Sequence, residues 1–344
     1  MTISQATITK KFMVENRNYT IDALRTLGAL SVIVLHTHFD GILTNTTANA
    51  VFLCARWAVP FFFLVSGYFF EKKSRLNLDI EFTKSLKYLL SIFIVSNTIY
   101  SIIALQTIYY SAKDVLSIRS IVLGNWFHLW FIGSMIIGYI SLWFVISIKM
   151  EKAMAFIAFF IVALALVIGP YATFSTLNID LSFSKLIISI PFLFIGFLYS
   201  KYNLSKNFKL VSSVLIVMIG LALMFIENSV IYNQSKPVLI NHEYLLGTFL
   251  LTIGIFMLSF NIRMNKENIL SRIGRKYSLT IYLYHPLVIF AISFAMKKIT
   301  KMNQFYALWL NPMSIFLLTL SVIIIIDRMY PRIYNVISGR IGVL

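Results

Sequence analysis

The sequence predicts an all-α, polytopic membrane protein with about ten transmembrane helices and both termini in the cytoplasm. Three observations predict it. Of 344 residues, 59% are hydrophobic and 12% charged, and the mean hydropathy is +0.82, outside the range of soluble globular domains. Ten apolar runs are long enough to cross roughly 30 Å of hydrocarbon. The basic residues also fall unevenly between alternate loops, as the positive-inside rule requires.

The runs are taken in chain order. The first, 20 to 38, carries Arg25 and His36 in IDALRTLGALSVIVLHTHFD, and the polar residues 1 to 19 precede it as a cytoplasmic segment. The second, 49 to 70, holds Cys54, Arg56 and Pro60. The third spans 84 to 106, and the fourth, 127 to 148, opens on His128 in NWFHLWF. The fifth to seventh lie at 153 to 169, 186 to 200 and 209 to 226. The eighth, 242 to 260, begins at His242, which reads as an interfacial residue. The ninth, 278 to 296, contains SLTIYLYHPLVIF, and the tenth covers 309 to 327. No Pro-, Gly- or Ser-rich linker and no internal repeat divides the chain, so residues 1 to 344 read as a single membrane domain.

A net charge of +17 would suggest nucleic acid in a soluble protein, but here it reports topology. With the N-terminus inside, 22 lysines and arginines fall on the cytoplasmic side and 7 outside, Arg56 lying within a helix. Lys297, Lys298 and Lys301 fit this assignment least well, being placed outside. No nucleic-acid partner is expected. The first apolar run holds an arginine and lacks a small-residue cleavage site after it, so no cleavable signal peptide is expected. Cys54, the single cysteine, permits no internal disulfide and reads as packing.

Arg25 and His36 are the most informative pair. Eleven steps of about 100° make three turns plus about 20°, so both lie on one helix face, separated by roughly 16 Å along the axis. Arginine and histidine facing lipid are costly, which turns this stripe toward protein or water. Asp22 lies near the stripe, and Gly28, Ala29 and Val32 fill its middle with small groups that let a helix or a slender ligand approach. The competing reading has Arg25 snorkelling to the inner headgroups and His36 seated in the outer interface. His36 and His38 point to nearly opposite faces, so one continuous helix cannot bring both to one site. His128 begins its helix at the outer side, within reach of His36. His285 precedes Pro286, and a proline inside a helix frees a carbonyl beside it. For His128 and His285 a plain role as buried, satisfied histidines stands equally open. No histidine pair has metal-ligand spacing on one helix, so no metal site is expected. The carboxylates Asp22, Glu71, Asp180, Glu227, Glu243 and Asp327 all sit near helix ends, which argues against a proton-driven pump.

The stretches IDALRTLGALSVIVLH, RWAVPFFFLVSGYFFEKKSR, NWFHLWF at 125 to 131, PFLFIGFLYSK at 191 to 201 and RKYSLTIYLYHPL at 275 to 287 together resemble the integral-membrane acyltransferase 3 family. The likeness covers nearly the whole chain, in the right order, and is nearest to the enterobacterial common antigen and O-antigen O-acetyltransferases. It implies a ten-helix enzyme of the bacterial inner membrane. Its implied activity is acyl transfer, most often O-acetylation, from cytoplasmic acetyl-CoA to a sugar hydroxyl of a surface polysaccharide such as lipopolysaccharide or of a lipid-linked precursor. Acetyl-CoA would be a co-substrate, with no permanently bound cofactor. The family's most specific element, an arginine and a histidine separated by ten residues, is met by Arg25 and His36. Where the family often carries two arginines three apart, this chain has Lys72 and Arg75, and a lysine lacks the planar guanidinium fork.

The residue types suit that chemistry. Arg25, Lys72 and Arg75 make the inner mouth basic, fit for the phosphates of acyl-CoA. An imidazole, with a reference pKa of about 6.5, suits His36 to take a hydroxyl proton. Arg56, His128 and His285 are candidates for the oxyanion or for orienting the acceptor, and Trp126 and Trp130 for stacking on sugar rings. The alternative is a transporter or flippase of a lipid-linked sugar or acyl group, with the Arg25/His36 stripe lining a path. The lack of paired broken helices in corresponding halves weakens that alternative.

Overall fold

The computed structural model describes residues 17–37, 45–106, 111–174, 181–235, 244–298 and 311–340. The N-terminal polar stretch up to residue 16, His38, His242 and Lys301 lie outside the described residues. The described chain is helical, without a strand: α1 (Tyr19–His36), α2 (Asn45–Ala55), α3 (Ala58–Ser74), α4 (Leu78–Leu105), α5 (Trp130–Ser147), α6 (Met154–Ile168), α7 (Ser189–Lys201), α8 (Leu210–Ser235), α9 (Leu246–Asn261), α10 (Ile269–Lys298), α11 (Pro312–Met329) and α12 (Pro331–Ile337), with shorter turns between.

Among the described residues, eight helical stretches are long and apolar enough to cross a membrane, Thr47–Ser74 counting α2 and α3 as one. With α1 and the shorter apolar α9 they occupy all ten predicted positions. Several helices run past their apolar cores: α4 starts at Leu78 rather than 84, and α10 at Ile269 rather than 278. Hydropathy marks only the stretch that meets lipid, whereas backbone hydrogen bonding continues into the headgroup layer, where lysines and arginines reach water.

The second run is not one regular helix. Arg56 and Trp57 form a turn between α2 and α3, with Arg56 N–H bonded to Leu53 O at 3.1 Å. Pro60 explains it: proline has no N–H for the carbonyl four residues back, which is that of Arg56, and its ring crowds that carbonyl. Arg56 therefore sits at a break, not inside the regular helix expected from the sequence.

Interhelical packing relies on small residues at a few crossings. α3 meets α7 where Gly67 faces the Leu193 carbonyl and Gly196 faces that of Leu64, and a Cβ on either glycine would overlap the carbonyl opposite. Phe61, Phe63, Phe192 and Phe194 fill the surrounding core. α8 and α9 cross as closely at Gly220 and Gly247. Near that crossing the buried Glu227 of α8 accepts the first N–H groups of α9, Leu246 at 3.0 Å and Gly247 at 2.6 Å, together with the Tyr171 hydroxyl. A carboxylate there satisfies orphan donors and meets the positive end of the helix dipole. Glu227→Ala is expected to destabilise the detergent-solubilised protein by about 1–3 kcal/mol, with Glu227→Gln losing less, in thermal unfolding.

α12 was not anticipated. After Pro331 the chain turns back, burying Tyr334, whose hydroxyl donates to Lys276 O at 3.1 Å, while the Tyr284 hydroxyl donates to Ile337 O at 2.8 Å. Gly339, at φ 73°, ends it against Tyr88 and Ile92 of α4.

Candidate active site

Arg25 lies in the second turn of α1, at the end of the bundle that also holds Lys72, Arg75, Lys276 and Arg340. Asn18 caps α1, accepting from Thr20 N at 3.0 Å and Ile21 N at 3.2 Å, and Thr26 Oγ1 donates to Leu270 O at 2.6 Å, tying α1 to α10. The carboxylate of Asp22, 2% exposed, accepts Arg17 Nε at 2.6 Å, whereas Arg25 Nη1 stands 3.5 Å from its other oxygen. Arg17 thus makes the close bond. Arg25 is held by charge with its guanidinium fork uncommitted to Asp22, a geometry suited to an anionic ligand.

Arg75 differs. Its Nε and Nη2 both donate to Glu71, at 2.7 and 2.9 Å, and the buried Glu71 also accepts Ser200 Oγ at 2.6 Å, joining α3 to α7. Lys72 Nζ lies 4.5 Å from the centre of the Tyr68 ring. The small middle of the α1 stripe is not an open slot either. A Cβ on Gly28 would stand 3.2 Å from the Phe62 ring, while Ala29 and Val32 are buried in packing.

His36 ends α1 on the far side of the bundle. Its ring centre is 5.5 Å from that of His285, with 16° between the planes, and 4.6 Å from that of Phe127. His128 lies 5.8 Å from His285, so three of the five histidines converge from α1, α10 and the segment before α5. That segment is aimed inward by Gly124, whose φ of 85° ends the preceding turn of helix. Asn125 then pins it to α4: its N–H donates to Asn97 Oδ1 and its Nδ2 to Ser101 Oγ, both at 2.7 Å.

The hydrogen bonds define the tautomers of two rings. Pro286 leaves the Tyr282 carbonyl without its helical N–H, and His285 Nδ1 fills the place at 2.7 Å. A carbonyl only accepts, so Nδ1 carries the proton and Nε2 presents a lone pair. His128 Nε2 donates to Leu283 O at 3.0 Å, a carbonyl that also accepts the Tyr100 hydroxyl at 2.6 Å, which leaves Nδ1 as the acceptor. His285 Nε2, His128 Nδ1, Asn125 Oδ1 and Trp126 Nε1 are buried and have no hydrogen-bond partner among the described residues. Buried polar groups are ordinarily paired, so the acceptors on His285 and His128, whose rings lie close to each other and, for His285, against His36, are free to take hydrogen bonds from a polar ligand.

Trp126 stacks on Tyr100, ring centres 5.2 Å apart, and Trp130 is buried with Lys185 Nζ 5.6 Å from its ring centre. Lys185 is also within electrostatic reach of His36. Nothing local in the sequence marks this lysine, which reads there only as an outer-loop charge. Among the described residues, no three His, Cys, Asp or Glu side chains, the histidine cluster included, are placed so that they could hold a metal ion.

A family model described as an acyltransferase domain, of the acyltransferase 3 type, matches residues 18–328. The chain belongs to this acyltransferase family. It is a multi-pass membrane protein of that family, with a polar end at Arg25 and an imidazole cluster at His36 on opposite sides of the bundle. The chain is similar to an amino-acid racemase of Enterococcus faecalis, 30% identical over 151 residues, which are 42% of this chain and 21% of the racemase. The chain thus matches about a fifth of that relative's length. No solved structure matches the chain.

Proposed function

We propose that this acyltransferase is an O-acetyltransferase of the bacterial inner membrane, moving an acetyl group from cytoplasmic acetyl-CoA to a sugar hydroxyl of a cell-surface polysaccharide or its lipid-linked precursor. The observation that carries the reading is the pair of unpaired buried imidazole acceptors, His285 Nε2 and His128 Nδ1, in the histidine cluster at His36, at the opposite end of one helix from an arginine suited to phosphate. A hydroxyl-rich sugar supplies the donors that this pair requires.

In this reading the His36 imidazole takes the proton of the acceptor hydroxyl as its oxygen attacks the thioester carbonyl carbon. The oxyanion that develops is met by Trp126 Nε1–H and the Lys185 ammonium. The carbon–sulfur bond then breaks, and the leaving thiolate takes the proton from His36, giving the acetyl ester and free CoA. Phe62, packed over Gly28, swings aside to admit the acyl arm. His285 Nε2 and His128 Nδ1 hold neighbouring sugar hydroxyls.

Membranes containing the protein are incubated with radiolabelled acetyl-CoA and candidate polysaccharides, and base-labile label is sought on the carbohydrate. Label on a carbohydrate supports the proposal. Movement of a lipid-linked sugar across vesicles without an acyl donor, and no labelled acceptor, would sink it. His285→Asn keeps a donor for Tyr282 O and removes the Nε2 lone pair. It is expected to lower kcat/KM for the acceptor about 10-fold or more, with KM for acetyl-CoA unchanged, in initial-rate kinetics.

A further inference from the structure

The last membrane-spanning helix, α11, carries Val322, Ile325 and Met329 at steps of three and four residues, and all three are exposed, so they form a face that lipid covers. The exposed apolar surface does not stop where α11 stops. Tyr330 follows at the turn, and Ile333 and Val336 are exposed on α12, while Tyr334 is buried beside Tyr277 of α10. At about 100° per residue, Arg332, Val336 and Ile333 fall within an arc of about 100°, and Tyr334 lies about 100° past Ile333, toward the bundle. Arg328, Arg332 and Arg340 are exposed on the same segment. Asp327, the one carboxylate between residues 312 and 340, is taken by Lys276 and by the Tyr277 hydroxyl, the latter at 2.7 Å. Among the described residues, no ion pair holds Arg328 or Arg332.

We propose that the end of α11 and the outward face of α12 form a binding surface for anionic phospholipid of the cytoplasmic leaflet, Ile333 and Val336 meeting acyl chain and Arg328 and Arg332 meeting the headgroup phosphate. The surface combines two chemistries that neither water nor hydrocarbon satisfies together. Ile333 and Val336 lose free energy in water, and the arginines lose it in hydrocarbon, whereas the bilayer interface offers apolar chain and phosphate within one layer. A guanidinium fork matches phosphate oxygens, and two of them with no carboxylate between them select a headgroup of net negative charge over a zwitterion, whose own cation offsets its phosphate. The lysines and arginines mark this end of the bundle as cytoplasmic. α12 has seven residues, roughly 10 Å, too few to hold a membrane by apolar area alone. Tertiary contacts hold it in place instead: Tyr334 on Lys276 O, Tyr284 on Ile337 O, and Gly339 closed against Tyr88 and Ile92. A lipid that binds the docked segment therefore stabilises the fold. This inference stands apart from the acetyl-transfer reading.

The test uses the full chain in detergent, titrated with phosphatidylglycerol or with phosphatidylcholine of the same acyl chains. Bound lipid is counted by native mass spectrometry, and the melting temperature is recorded at each step. Wild-type protein is expected to retain phosphatidylglycerol more tightly and to gain more thermal stability from it. One arginine near an anionic surface contributes about fivefold in affinity, so Arg328→Gln with Arg332→Gln should weaken the tightest phosphatidylglycerol site about 25-fold and abolish the extra stabilisation. Without added lipid the double variant should melt as wild type does, because both side chains are exposed. Lys152→Gln with Lys209→Gln removes two exposed cations from other cytoplasmic loops and should change neither readout. Equal retention of the two lipids by wild type, an arginine double variant that binds phosphatidylglycerol as wild type does, or equal losses in both double variants would each overturn the assignment. A dimer of the lipid-free protein that Ile333→Glu abolishes would assign the face to a second copy of the chain and overturn it as well.

Discussion

His36→Ala is expected to lower kcat for acetyl transfer by about 10²–10⁴-fold, the range general-base catalysis contributes, while the protein still inserts and folds. His36 ends α1, with its ring between Phe127 and His285. Truncating it removes one ring from the edge of the cluster and leaves the hydrogen bonds of His285, His128 and Tyr100 in place. Stability should therefore change far less than rate. The check is transfer of labelled acetyl in membranes, normalised to the amount of inserted protein. Retention of wild-type kcat by His36→Ala would remove His36 from the chemistry and point to His285 Nε2 or His128 Nδ1 as the base. Loss of folded protein in step with loss of activity would mark a structural role.

Arg25→Ala is expected to reduce kcat/KM for acetyl-CoA by about 10²-fold, since truncating one partner of a charge-assisted phosphate contact costs about 2–5 kcal/mol. Asp22 keeps its bond from Arg17 at 2.6 Å, so its charge is not stranded when Arg25 is removed. That separates the predicted kinetic defect from unfolding. Arg25→Lys restores a cation without the planar fork and should recover part of the loss. Steady-state kinetics with varied acetyl-CoA tests this. An unchanged kcat/KM, or an Arg25→Ala protein whose melting temperature falls as far as its activity, would assign Arg25 to packing against Asp22 alone.

Arg75→Ala, by contrast, should act on stability before it acts on rate, because it leaves the buried Glu71 with Ser200 as its one remaining partner among the hydrogen bonds described. The loss should be of about 1–3 kcal/mol, read by thermal unfolding. Arg25 and Arg75 look alike in sequence, each a basic residue at the inner end of a helix. A carboxylate one turn away decides between them. Asp22 is occupied by Arg17, whereas Glu71 takes two nitrogens of Arg75 directly.

The membrane class, the ten positions of the spans and the common face of Arg25 and His36 follow from the sequence by itself. Hydropathy and the 3.6-residue repeat are local properties, and lipid imposes them on each segment independently of the others. Pro286 belongs to the same class, because the carbonyl it frees lies four residues back in its own helix. Tertiary structure alone decided the rest. The site depends on contacts between residues far apart in the chain: His128 with Leu283, 155 positions on, and the rings of His36 and His285 face to face. The same distance in sequence hides the Phe62 ring that fills the gap at Gly28, the commitment of Glu71 to Ser200, and the approach of Lys185 to His36. A periodic pattern says which face of a helix is polar, and only the packing of the helices says what that face meets.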